Sequence, residues 1–476
     1  MESDRFEQKE AEFKKLQAEY LNKPELFKEQ SIVEDSSLLS PLGIEIPGKE
    51  FFPKGYLKLW PEDFIVEERS EGSIQSVQST PALPPTELSP TYYATLVKGN
   101  ISTFEAINDI AKQLNIRPED LSFAGLKDKN AITSQRISIR RAKPDALAKL
   151  SSPYYYFSNW ESGKGVIQRG NLEGNHFSIL VRTEKEFFNP ENFSRFAPHL
   201  KHVKENGFAN FFYLQRFGTS RLRNYVWALL ILHGKYEEAI HDFLCYAGPN
   251  ELPYFQELRK SLKDDVPNWD AIYAKLSEYP IIFEQELAVV QHLRQHPTDF
   301  TGAFQKIPEQ ITFWLYALSS LFFNKKISEY LLQEKPLPPT LPFFLSKNKE
   351  DLDPYKKMLS DLGITVTSFQ NLRPFPQIIL KNRTAPTMCD VKIYNAQLID
   401  DVGISLEFDL GKGSYATTML SHMFNLVGGI PMPSFSKERV DVKAILGHAP
   451  LASTLEYFST VIKPKGDGFA ATVEDV

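Results

Sequence analysis

Cysteine is nearly missing from this 476-residue chain. Cys245 and Cys389 are the only two, too few for a disulfide framework and in no CxxC pair. Long hydrophobic runs are missing as well: Val226–Leu232 and Phe313–Phe323 fall short of the roughly 18–20 residues that cross a bilayer. The opening stretch, MESDRFEQKEAEFKKL, is charged from its second residue and leaves no apolar core for a secretory leader. The expectation is a cytoplasmic protein without a membrane segment. Metal-binding and nucleotide signatures are also lacking. His292 and His296 stand four apart, but Leu293 occupies the place of a zinc protease's glutamate. The GxGxxA match at Gly411–Ala416 has neither a supporting acidic residue nor Walker spacing, and no GxSxG elbow occurs. No metal and no cofactor is expected. An excess of positive charge is absent too: 54 Lys and Arg against 60 Asp and Glu give −6, which taken whole argues against a nucleic-acid partner.

The distribution of that charge reverses the argument. Residues 1–50 hold 7 basic and 12 acidic residues, so 7 − 12 = −5. Residues 121–182 hold 10 and 4, so 10 − 4 = +6, and residues 201–235 hold 6 and 1, so 6 − 1 = +5. Aromatic residues are interleaved with these basic stretches, among them Tyr154–Phe157, Trp160, Phe177, Phe211 and Phe212. A phosphate backbone with stackable bases would select that mixture. A solvated basic face over an aromatic core would show it too. Arg216, Arg221 and Arg223 are candidates for phosphate contacts.

At about 150 residues per domain, the length predicts two or three domains. Phe6, Phe13, Leu16 and Tyr20 have helical spacing within residues 4–22, an amphipathic helix able to dock on the body. Strands are predicted at Tyr56–Leu59, Phe64–Glu68, Tyr92–Lys98, Ile137–Arg140 and His176–Arg182, the last two half-buried. Ser79–Pro90, with four prolines in twelve residues, is an exposed loop. Ser102 and Glu105 form a capping box for a helix that presents Phe104, Ile107, Ile110, Ala111 and Leu114 on one face. From Thr219 the pattern turns helical, with Leu222, Val226, Leu229 and Leu230 marking one helix and Ile311–Leu332 another. Strands return at Val391–Tyr394 and Ile404–Asp409, followed by a helix over Thr417–Asn425. The tail from Pro431 is rich in Ser, Pro and Gly, and its last residues are expected to be loose. The whole reads as an α+β body interrupted by a largely helical insertion.

The densest polar cluster is Phe123–Gln135. Asp128 lies between Lys127 and Lys129, with Thr133 and Gln135 following. A carboxylate flanked by cations stays ionised and can act as nucleophile or base without a metal, although a surface turn with local ion pairs would read the same way. The segment resembles the signature GxKDxxAxTxQ of the TruD family of tRNA pseudouridine synthases, matched by Gly125, Lys127, Asp128, Ala131, Thr133 and Gln135. Four further elements are similar, in order. Lys58 with Pro61–Phe64, Val66 and Glu68 matches the opening K..PEDF.V.E. Gly170 with Gly174–Phe177 matches G...GN.F. Asn210–Gly218 matches NYFG.QRFG, except that Tyr213 replaces a glycine. A bulky residue there implies either a backbone that avoids positive φ or a loop built differently. Ser414–Thr417 resembles [SA][FY]AT.

The resemblance implies a pseudouridine synthase catalytic domain with a bent, mostly antiparallel sheet, formed by 51–218 and a return segment 385–430. A family-specific insertion at 219–384, an acidic extension at 1–50 and a C-terminal extension at 431–476 complete the chain. The implied reaction converts uridine to pseudouridine in tRNA, at uridine 13 of the D-arm in bacterial members, with relatives acting on other RNAs. It needs no cofactor. The implied catalytic pair is Asp128 with Lys58. Phe177, Asn175, Phe64, Lys127, Gln215 and Arg216 are the implied substrate-binding residues. The target base must be flipped from its stack, at a cost of about a few kcal/mol. A monomer is expected. Two other readings stay open: an RNA-binding or tRNA-folding module of the same fold without catalysis, and an interaction protein working through the acidic arm, which could also lie across the basic cleft.

Overall fold

The computed structural model describes residues 2–27, 32–345, 349–380, 383–428 and 438–464. Nine strands come first: β1 (Ile32–Glu34), β2 (Lys54–Tyr56), β3 (Phe64–Ser70), β4 (Ser73–Ile74), β5 (Thr91–Gly99), β6 (Leu121–Phe123), β7 (Ile132–Arg140), β8 (Tyr155–Gly163) and β9 (Gly174–Arg182). Seven follow: β10 (Phe208–Ala209), β11 (Thr340–Pro342), β12 (Thr384–Pro386), β13 (Met388–Cys389), β14 (Val391–Ile399), β15 (Gly403–Gly411) and β16 (Asn425–Gly428). Twelve form one sheet along the path β1-β16-β2-β9-β3-β7-β5-β8, with β15 on β9, β14 on β15, β4 on β3 and β6 on β7. It is mostly antiparallel, as expected; β16–β2 and β3–β7 are parallel. The remaining strands make two short pairs, β10–β13 and β11–β12.

Alternation along the strands sends side chains to two covered faces. Phe64, Val66, Phe177 and Ile179 join one core with Phe196, Phe408, Met419 and Phe424. Tyr92, Leu96, Ile137 and Ile139 pack on the Thr103–Leu114 helix. Ile65, Val97, Ile132 and Leu180 point the other way, onto Val442, Leu446, Leu451 and Phe458. Residues 438–464 are therefore part of the sheet's back face, whereas the last residues, from 465, expected to be loose, lie outside the described residues. Lys443 joins Glu67 at 2.6 Å inside that layer. Being covered on both sides, β9 is buried at eight of nine positions rather than alternating.

The expected capping box is present. Glu105 N donates to Ser102 Oγ (3.1 Å) and Ser102 N donates to Glu105 Oε2 (3.0 Å), an arrangement worth about 1 kcal/mol. Three helix faces and ends differ from expectation. Phe104 is 49% exposed, and Ala106 takes its place inside. Asn224–Leu232 buries Trp227, Ala228 and Ile231 rather than Val226, Leu229 and Leu230; a segment apolar all round carries no stripe to mark its inner side. The helix at Ala416 ends at Ser421, and Asn425 opens β16. The expected strand at Tyr56–Leu59 also stops at Tyr56, because Lys58 turns left-handed (φ 56°).

The helical part has its own core, running from Ala209 to Ala385 and including Trp227, Phe243 and Trp314. The acidic extension belongs to it. The Glu2–Asn22 helix buries Leu16 there, and Lys15 bonds Glu278 (2.6 Å). β1 then pairs with β16, Asn324 Nδ2 donates to Leu42 O (3.1 Å), and Lys49 Nζ donates to Ser421 O (2.9 Å) and Phe424 O (3.1 Å). The extension is thus a brace between the sheet and the helical part.

Candidate active site

The segment carrying Asp128 leaves β6 and enters β7, so the sheet delivers it. Three hydrogen bonds pin the loop. Lys127 N donates to Thr103 Oγ1 (3.1 Å), Gln135 Nε2 to Gly125 O (3.1 Å), and Lys98 Nζ to Asp128 O (2.6 Å). Thr103 Oγ1 in turn donates to Gln135 Oε1 (3.1 Å). Thr133 and Gln135 are completely buried, and the Gln135 amide holds the loop in place.

The Asp128 side chain is 38% exposed, and its Oδ1 accepts a hydrogen bond from Lys58 Nζ at 2.5 Å. The left-handed backbone at Lys58 costs on the order of 1 kcal/mol or more. It is offset by that charged contact and by the Phe64 ring, whose centroid lies 4.2 Å from the ammonium. Burial alone would raise the Asp128 pKa. The charge and hydrogen bond of Lys58, with the charge of Lys98 behind them, outweigh burial and hold the carboxyl below its ordinary value. The site therefore presents an ionised, solvent-reachable carboxylate at neutral pH.

Lys98 was not anticipated. It lies on β5, fully buried, and also donates to Ile101 O (2.8 Å). Burial pushes its pKa down to about 7, with Asp128 opposing that shift and Lys127 and Lys58 adding to it. The available signal was a lysine in the otherwise uncharged strand TYYATLVKG. Lys127 points away from Asp128. Its Nζ donates to Asn175 Oδ1 (2.9 Å) and lies 2.8 Å from Glu68 Oε2. Glu68 and Asn175 face each other across the β3–β9 register, so the lysine joins a cross-strand pair. A buried cation needs such partners. Phe177, opposite Val66, is edge-on to Phe64 (6.3 Å) and stacked on Phe408 (5.1 Å), and only 4% of it is exposed. Gly174 is required three residues before it: a Cβ there would meet Leu410 O at 2.1 Å.

Asp128, Lys58, Phe64, Phe177, Lys127 and Asn175 thus gather around one corner of the sheet. Gln215 and Arg216 do not join them. They stand on the short Leu214–Phe217 helix and line a separate hollow with Glu34, Tyr213, Phe313 and Tyr415. Tyr213 is extended there (φ −97°, ψ −173°), which selects the first of the two explanations for the missing glycine. Its hydroxyl donates to Glu34 Oε2 (2.6 Å), so the acidic brace supplies its partner.

Arg221 and Arg223 do not serve as free phosphate contacts. Arg223 forms a fork on Asp242 (3.0 Å for each bond). Arg221 bonds Phe243 O (2.7 Å) and Glu286 (3.2 Å), and Glu286 also holds Arg259 (2.9 Å). These acids come from outside residues 201–235, so part of the local +5 is neutralised in the fold. Among the described residues, no group of three or more His, Cys, Asp or Glu could hold a metal ion, and no helix is long and apolar enough to cross a membrane.

Comparison with known proteins matches residues 53–342 to the model of a family described as tRNA pseudouridine synthase D (TruD). The chain is 28% identical over 351 residues to a probable tRNA pseudouridine synthase D of Methanopyrus kandleri, covering 70% of this chain and 85% of that one. It is 28% identical over 378 residues to the tRNA pseudouridine synthase D of Aquifex aeolicus, with 70% and 91% covered. A crystal structure of the putative tRNA pseudouridine synthase D of Methanosarcina mazei superposes with a TM-score of 0.62 at 21% identity, covering 81% of this chain and 97% of that one.

Proposed function

The chain belongs to the tRNA pseudouridine synthase D family, isomerases that form pseudouridine in tRNA, and on that premise we propose that Asp128 is its essential carboxylate and uridine 13 of the D-arm its target. The observation that carries this reading is the Lys58–Asp128 contact of 2.5 Å in a part-open corner of the sheet. The uridine N1–C1′ bond breaks, the detached base turns, and a C5–C1′ bond forms. The C5 proton is lost and N1 gains one, so atoms balance without a co-reactant. Asp128 attacks C1′ or assists the proton's removal, both of which need the ionised form that Lys58 maintains.

The flipped base is held by the aromatic wall of Phe64 and Phe177. Asn175 meets its polar edge, and Lys127 acts through Asn175 by fixing the amide's orientation. Gln215 and Arg216 contact the RNA beyond the flipped nucleotide. Residues 51–218 and 385–430 supply the chemistry, and 219–384 form the second wall of the RNA cleft. The test is incubation of the purified chain with an unmodified tRNA transcript labelled with [5-³H]uridine. Tritium release, with pseudouridine mapped to position 13, is expected. Release at another uridine would refute the target, and tight binding without release would leave an RNA-binding module.

A further inference from the structure

Arg216 lines a hollow of aromatic rings and Arg383 stands beside it, and among the described residues neither arginine pairs with a carboxylate. The hollow, about 330 Å³, lies where the Leu214–Phe217 helix meets the Pro308–Leu332 helix and the loop after β15. Its size falls within the range of small-ligand sites. Phe313 and Tyr415, two of its lining residues, leave 37% and 49% of their surface in solvent. The Arg216 guanidinium lies 5.1 Å from the Phe212 ring centroid and 5.8 Å from that of Phe313. Arg383 lies over Tyr316 (5.2 Å), one turn along the Pro308–Leu332 helix from Phe313. Glu34 also lines the hollow, but its hydrogen bond there is to the Tyr213 hydroxyl and, among the described residues, it forms no ion pair with either arginine. An arginine without a carboxylate partner beside exposed aromatic rings is a ready contact for a phosphate.

We propose that this hollow is a second nucleotide subsite, which holds an unpaired nucleotide flanking the target, its base on Phe313 and Tyr415 and its phosphate on Arg216 and Arg383. The inference rests on RNA being the substrate and adds Phe313, Tyr415 and Arg383 to the residues that bind it. Base-on-aromatic stacking beside a cation is how unpaired nucleic acid is held without a sequence code. The position suits a flanking nucleotide. Leu410 faces Asn175 across the β15–β9 register, and Tyr415 follows five residues later, at most about 18 Å along the chain. The Gln215 side chain, an amide on the same lining, can bond a base edge.

The test measures affinity of the full chain for an unmodified tRNA transcript by fluorescence anisotropy across a salt gradient, with tritium release as a parallel readout. Phe313→Ala should raise Kd about five- to a hundredfold, the range that loss of one stacked base predicts, while Phe313→Tyr stays near wild type. Arg383→Gln should weaken binding and reduce the slope of log K against log salt by about one. Lys357→Gln removes equal charge from a side chain that is 92% exposed and outside the hollow, and should change neither. Wild-type Kd and slope in both Phe313→Ala and Arg383→Gln, with a wild-type chain that binds and modifies tRNA, would overturn the subsite and leave the family activity standing. A wild-type chain that neither binds nor modifies tRNA would overturn both. If Phe313→Ala does not fold, Arg383→Gln decides alone.

Discussion

Two clusters of buried and half-buried cations invite comparison. In the helical part, Arg221, Arg223 and Arg259 are all paired, to Glu286, Asp242 and Glu251. At the corner of the sheet, Lys127 is paired to Glu68 and Lys58 to Asp128, but Asp128 keeps 38% of its side chain in solvent and Lys98 has carbonyl oxygens for partners. The first arrangement closes on itself and stabilises a fold. The second leaves an accessible carboxylate under surplus positive charge, which is what a reaction at a sugar carbon uses. Both look alike in a count of charges along the chain. The difference lies in whether acids arrive from elsewhere in the fold to cancel the cations.

Four substitutions break or sharpen that contrast. Asp128→Asn has the largest expected effect, a loss of turnover of roughly a thousandfold or more, with an unchanged circular dichroism spectrum. Arg259→Met leaves Glu251 buried without its ion partner and Glu286 with Arg221 alone. It should lower stability by about 3–5 kcal/mol, read by denaturant unfolding, while the folded protein keeps the wild-type salt slope for RNA. Lys98→Met frees the Asp128 carbonyl and shifts the loop; kcat should fall about ten- to a hundredfold. Because a cation that holds Asp128 ionised is gone, the acid limb of the rate profile should also move to higher pH, which a purely structural loss would not produce.

Glu34→Gln has the smallest effect. Burial raises the Glu34 pKa from 4.5 to about 7, against the lowering effects of Tyr213 and Lys49. Between pH 4.5 and 7 the folded chain therefore holds a proton that the unfolded chain releases, and stability falls as pH rises. Glutamine still accepts the Tyr213 hydroxyl and has no charge to bury. The variant should remove that slope and raise the melting temperature above pH 7 by roughly 1–3 °C, measured by calorimetry at pH 5 and pH 8.

The same contrast shows what could be read from the sequence. Asp128 and Lys58 stand in ordered motifs 70 residues apart and meet at 2.5 Å, and the capping box at Ser102 is local chemistry that forms where its residues stand. Lys98 escaped because a buried lysine is identified by what surrounds it, and its partners at Ile101 and Asp128 are backbone atoms with no signature. Arg221 and Arg223 were misjudged because Asp242 and Glu286 reach them through tertiary packing. The tail's role against Ile65 and Leu180 was hidden because nothing local says which face of a sheet needs covering. For the acidic arm, which could lie across the RNA cleft, Leu16 and β1 tie it to the helical core and to β16, and among its described residues Glu34 lines the hollow beside Arg216.

The central claim is that the ionised Asp128 carboxylate, held by Lys58, carries the isomerisation. It is tested most directly by single-turnover tritium release from [5-³H]uridine-labelled unmodified tRNA with the Asp128→Asn chain, and with tRNA binding measured on the same sample. The account predicts wild-type-like binding and no release above background. Release at the wild-type rate would contradict it.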